Sequence, residues 1–147
     1  VTDKKTYNVQ TRYYRAPEII LKSDCSNKID IWSLGCIIYE LLCNKMLFHP
    51  DKSPFDNRNR HHLQLFEDCL GPIPLNIVND ELKILFFKTT GELKNSIKHH
   101  SKSLADLITD LNLQEYHDAF LTILRACLQY NVNVRPNANQ LLMAFSS

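Results

Sequence analysis

The chain has 147 residues, a length that suits one domain able to bury a sizeable core. Hydrophobic residues make up 44% of it and charged residues 22%, which excludes a disordered or fibrous polymer. Lysine and arginine total 17 against 16 acidic residues, so net charge makes no case for nucleic acid or a membrane surface as partner.

The first residues, Val1-Thr2-Asp3-Lys4-Lys5, hold neither an apolar signal stretch nor an initiator Met, which reads as a processed chain or a fragment. Residues 1–17 lack helical periodicity and end in Arg15-Ala16-Pro17, where the proline disfavours helix at the residue before it. They are expected to be extended. Pro17 suits the first turn of a short helix through Lys22, and a loop at 23–27 follows.

Of the thirteen residues from Ile31 to Cys43, all but Ser33, Gly35 and Glu40 are hydrophobic. A helix here is apolar on every side and must be buried, although its β-branched residues leave a buried strand as a rival. Ser26 and Asn27 are candidate caps, and the helix is expected to end near Asn44. The segment is too short for a bilayer, which needs about 20 apolar residues.

Residues 44–60 have loop composition. A short helix is predicted from His62 to Leu70, stopped by Gly71-Pro72-Ile73-Pro74. Residues 75–103 read as short helices and irregular chain. From Glu115 to Leu128, Tyr116, Ala119, Phe120, Ile123, Leu124, Cys127 and Leu128 follow three-and-four spacing, which predicts an amphipathic helix. A final helix is expected after the cap Asn137, with Leu141, Leu142 and Phe145 on its core face.

The five cysteines Cys25, Cys36, Cys43, Cys69 and Cys127 contain no Cys-x-x-Cys pair, so they read as core thiols in a reducing, intracellular compartment rather than zinc ligands. His61-His62 and His99-His100 are expected to be solvated, since adjacent helical histidines point apart; no metal site is predicted. The basic run Lys94, Lys98, His99, His100 and Lys102 reads as a solvated face.

Three blocks occur in order: Thr11-Arg12-Tyr13-Tyr14-Arg15-Ala16-Pro17-Glu18, then Asp30-Ile31-Trp32-Ser33-Leu34-Gly35, then Arg135-Pro136. Together they resemble the large, C-terminal lobe of a eukaryotic protein kinase from the activation segment onward. Within that family Val9-Gln10-Thr11-Arg12, the helix ending in Leu70-Gly71-Pro72-Ile73-Pro74, and Phe86-Phe87-Lys88-Thr89-Thr90-Gly91-Glu92-Leu93-Lys94 are most similar to the serine/arginine-protein kinases. The resemblance implies a mainly α fold, a partial domain spanning 1–147. Residues 1–18 would be activation segment and substrate loop, 26–43 the central helix, 44–103 a group-specific insert and 104–147 the C-terminal helices.

It also implies roles. Thr11, Arg12 and Arg15 would lie against a peptide substrate, and Glu40 would meet a basic substrate residue, although a buried structural glutamate reads the same way. Glu18 would pair with Arg135, Asp30 would face the catalytic loop, and Trp32 and Gly35 would be structural. Ile37 and Leu41 would support the catalytic spine. Thr6 and Tyr7 stand where related kinases carry phosphates, while Asn8 replaces the tyrosine of the mitogen-activated enzymes.

Phosphoryl transfer needs a Gly-rich loop, an ATP-contacting lysine, a catalytic-loop aspartate and a metal-binding Asp-Phe-Gly, and none is in these residues. The resemblance therefore implies a serine/threonine kinase using ATP and Mg on Arg/Ser-rich protein substrates, with this piece binding neither cofactor and needing the missing N-terminal lobe as partner. The alternative is a non-catalytic remnant that binds peptide. Neither nucleic acid nor membrane is an expected direct partner, and the expected location is cytoplasmic or nuclear.

Overall fold

The computed structural model describes residues 10–51 and 57–146. Seven α-helices follow one another among them: α1 Pro17–Ile20, α2 Ile29–Cys43, α3 Arg58–Leu70, α4 Asp80–Phe86, α5 Leu104–Asp110, α6 His117–Cys127 and α7 Ala138–Phe145. Single 3-10 turns occupy Arg12–Tyr14, Leu75–Ile77 and Gln114–Tyr116. No strand forms among the described residues. An isolated antiparallel bridge joins Phe87 to Leu93 across a turn in which Gly91 takes φ 90°, backbone open to glycine and strained for other residues.

Local chemistry sets most boundaries. Pro17 opens α1, where its missing N–H costs nothing. Asn44 ends α2 in the left-handed conformation, φ 56°, with its N–H on the Glu40 carbonyl. The expected caps Ser26 and Asn27 do not cap α2, because a separate turn leads into it. Ser26 Oγ instead accepts from the Lys28 N–H, and Lys28 takes the cap position without a side-chain capping bond, its Nζ donating to the Val132 carbonyl. Asn137 does cap α7, and Gln140 returns a bond to its N–H.

The core forms around α2. Trp32 is fully buried, its ring edge-on to Phe66 at 5.1 Å and stacked at 6.0 Å with Phe48. Helix α6 lies so close to α2 that a Cβ on Gly35 would sit 2.8 Å from Cys127 Cβ. Glycine is what permits that approach.

Three expectations about faces need correction. Helix α2 is not buried all round: Leu34, Ile37 and Leu41 are 37%, 40% and 81% exposed, a single stripe at positions i, i+3 and i+7 that no described element covers. Residues Gln114–Tyr116 form a 3-10 turn rather than the start of α6, and its tighter winding leaves Tyr116 and Ala119 exposed and brings Leu121 inward with Leu124 and Cys127. On α7, Leu141 packs against the core, but Leu142 and Phe145 are exposed at 67% and 43%.

Helix α3 begins at Arg58, a turn earlier than expected, with Asn57 as its cap. That start turns His62 inward beside Leu63 and Phe66, so it is fully buried rather than solvated. His61 is half-buried and accepts a bond from the Asp51 N–H at 2.8 Å, and His99 lies 2.9 Å from Asp68. These partners also correct the reading of 94–102 as a wholly solvated face, since Lys94 donates to the Ile84 carbonyl and Lys102 pairs with Asp110.

Candidate functional site

The loop 10–16 crosses the start of α2, and side chains rather than a sheet hold it there. Gln10 is the main tie. Its Nε2 donates to the Ile29 carbonyl at 3.0 Å and to Ser33 Oγ at 2.7 Å, while its Oε1 accepts the Ala16 N–H at 2.8 Å. Ser33 in turn donates to the Tyr14 carbonyl. A loop with no core of its own is thereby fixed to a buried helix.

Arg15 folds back so that Nε and Nη2 donate to the Gln10 carbonyl at 3.3 and 2.8 Å. Arg12 reaches forward, with Nη1 2.7 Å from Asn59 Oδ1 on α3. The Tyr13 ring stacks on His49 at 5.1 Å and has the Arg58 guanidinium 5.9 Å from its centroid. Arg12, Arg15 and Arg58 thus crowd one side of the loop. Burial, and then the charges of Arg15 and Arg58, lower the Arg12 pKa; burial and Arg58 lower that of Arg15.

Beneath them lies His62, its ring 4.5 Å from Phe66 and 6.3 Å from Phe48. Burial, with the three arginines and His61 adding to it, pushes its pKa down to about 3. The imidazole is therefore neutral at ordinary pH, and neither ring nitrogen has a hydrogen-bond partner among the described residues.

On the other side of the loop, the Tyr14 hydroxyl donates to Glu40 Oε2 at 2.7 Å, and that bond raises the Tyr14 pKa. Glu40 is half-buried on α2 and has its partner inside the chain. Asp30 is exposed in the first turn of α2, and Thr11 is exposed at the head of the loop. Thr6 and Tyr7 lie outside the described residues.

The loop is anchored downstream by the deepest ion pair in the described chain. Arg135 and Glu18 are both fully buried, with Nη1–Oε1 at 2.6 Å and Nη2–Oε2 at 3.0 Å. The remaining donors go to the carbonyls of Gln129, twice, and Lys28, so all five N–H groups of the guanidinium are used. Its plane also lies 5.2 Å from the Trp32 ring. One arginine joins the end of the loop, the start of α2 and the end of α6.

The structure brings Arg12, Arg15 and Glu40 around one loop and sets Glu18, Arg135 and Trp32 below it. Gln10, Tyr14 and Asn59 are partners to which sequence reasoning gave no role, and His62, expected to be solvated, is buried beneath them. Periodicity cannot find loop polar residues whose partners lie 19 to 47 positions away. Among the described residues no group of three or more His, Cys, Asp or Glu could hold a metal ion, and no helix is long and apolar enough to cross a membrane.

The family model of the protein kinase domain matches residues 1–144. The chain belongs to the protein kinase family. This kinase chain is 38% identical over 146 residues, 95% of its length, to serine/threonine-protein kinase L205 of Acanthamoeba polyphaga mimivirus, and covers 27% of that protein. It is 39% identical over 60% of its length to the serine/threonine-protein kinase SRPK of Physarum polycephalum, covering 21% of it. Against the human dual specificity protein kinase CLK2 it is 34% identical over 83% of its length and covers 24% of that protein. The kinase chain thus spans about a quarter of the length of these relatives. All three are protein kinases by name, which agrees with the resemblance to the serine/arginine-protein kinases.

Proposed function

We propose that this chain is the C-terminal lobe of a serine/threonine protein kinase, from the activation segment onward, and that loop 10–16 is its peptide-docking surface. The observation that carries the reading is the loop itself: it is extended at Thr11 and Arg15 but wound into a 3-10 turn at Arg12–Tyr14 where an extended run was expected, with Thr11 exposed and the whole fixed by Gln10, Ser33 and the buried Glu18–Arg135 pair. Arg12 and Arg15 contact the peptide on one side. Glu40, held by Tyr14, meets basic residues on the other, which favours Arg/Ser-rich protein substrates. Asp30 contacts the catalytic loop of the parent enzyme, and Thr6 and Tyr7 are candidate phosphate acceptors.

The residues present do not fit ATP and magnesium. Of the three glycines, Gly35 is packed against α6, Gly71 ends α3 and Gly91 makes a turn, so none builds a phosphate-covering loop. Phosphoryl transfer is therefore assigned to the parent enzyme and its N-terminal half, and what this chain supplies is the hold on the substrate. The same mismatch supports a second reading, a non-catalytic peptide-binding module.

The test uses the chain with ATP, magnesium and an Arg-Ser repeat peptide. Binding without phosphate transfer is the expected result, and transfer would overturn the assignment. A coding sequence upstream with a catalytic-loop aspartate and an Asp-Phe-Gly separates the parent-enzyme reading from the module.

A further inference from the structure

Arg12 is the cation that the docking reading sets against a peptide, yet its own loop does not aim it. Repulsion from Arg15 and Arg58 would turn a long, half-buried guanidinium away from them and toward solvent. The described side chain that holds it belongs to another element, Asn59 in the first turn of α3, with Oδ1 2.7 Å from Arg12 Nη1. Asn59 is itself fixed, because its N–H donates at 2.8 Å to the capping Asn57 Oδ1. Helix starts of this kind are more rigid than loops.

The chemistry of the partner matters as much as its place. A carboxamide oxygen accepts a strong bond from a guanidinium and leaves the positive charge in place, whereas a carboxylate would neutralise it. The neighbouring Arg58 is occupied in parallel, with its Nε on the Pro50 carbonyl at 3.0 Å and its guanidinium near the Tyr13 ring. The start of α3 therefore grips loop 10–16 at two successive residues through two different contacts.

The geometry points to Asn59 as a positioning residue for the docking surface: it aims the Arg12 guanidinium across the loop while preserving its charge. This rests on the docking reading above and adds to it that specificity at Arg12 is set from α3. Asn59 acts through Arg12 and needs no contact with the peptide.

The experiment is a double-mutant cycle on the full chain with a fluorescein-labelled Arg-Ser repeat peptide, read by anisotropy, together with 15N-arginine NMR of the Arg12 side chain. Asn59→Leu is expected to change affinity by about tenfold, the size of a hydrogen bond to a charged group. Arg12→Ala should do the same, and the double variant should add nothing further. In the NMR arm, Arg12 Nη rotation should be slow in the native chain, slow in Asn59→Asp and fast in Asn59→Leu. Additive effects, or an Arg12 signal indifferent to Asn59→Leu, overturn the proposal. If the native chain binds no peptide while the signal still depends on Asn59, the docking reading fails and the positioning contact stands. Should Asn59→Leu not fold, Asn59→Ser, too short to reach Arg12, takes its place in both arms.

Discussion

Two buried polar residues carry opposite lessons. Arg135 has every donor satisfied, so Arg135→Ala strands the Glu18 carboxylate in the core and should cost about 3–5 kcal/mol, read by urea unfolding. A loss below about 0.5 kcal/mol, ordinary for surface sites, would contradict that burial. His62 has no such partners, so His62→Phe should be neutral or stabilising, since it removes two unsatisfied nitrogens while keeping the ring packing. A pH titration checks the same point. Between about 3 and the ordinary 6.5, the unfolded chain binds a proton at His62 that the folded chain refuses, so His62 makes native stability fall as pH drops through that window. His62→Phe should flatten the fall. Neither residue's environment was legible from composition: pairing Glu18 with Arg135 depended on the motif resemblance, and the burial of His62 depended on where α3 begins.

Among the elements, the approach of α2 to α6 is the most demanding. Alanine normally favours a helix over glycine by about 1 kcal/mol, yet Gly35→Ala should destabilise by about 1–3 kcal/mol in thermal melts, because its Cβ would meet Cys127 Cβ at 2.8 Å. Cys127→Ala leaves that Cβ in place and should not relieve the clash; Cys127→Gly should ease it, leaving the 3.1 Å contact with Leu128 Cδ2. The same packing shields the thiols. Burial pushes Cys69 up to about 12 and Cys127 up to about 11, and Cys36 higher still, so a mild alkylating agent should label the half-buried Cys25 and Cys43 first, as read by mass spectrometry. Several element boundaries were legible because Pro17, Gly71 and Asn137 act locally, whereas the start of α3 at the cap Asn57 was read as loop. Faces were less so. A 3-10 turn moved Leu121 into the core, and α7 meets the core through Leu141 alone of the three leucine and phenylalanine positions assigned to it, neither of which a linear pattern records.

For the whole molecule, the mainly helical class followed from the periodic segments, but the uncovered stripe Leu34, Ile37 and Leu41 did not, because hydrophobicity says that a residue seeks cover and not where the cover comes from. Polar replacement there should leave the melting temperature nearly unchanged while reducing aggregation, measured by light scattering; Leu41→Lys is the clearest case, at 81% exposure. Order of synthesis brings out a further property of the ion pair at the base of the loop. Its partners stand 117 positions apart, so while a ribosome makes the chain, Glu18 emerges long before Arg135 exists. Until then the loop and α1 lack their ion-pair tie to the far end of α6, and the nascent chain carries an unmatched carboxylate where the finished fold is driest. The base of the loop is thus tied down only once Arg135 is made, and truncation just short of it should leave most of the helices encoded but the loop and α1 without their ion-pair latch.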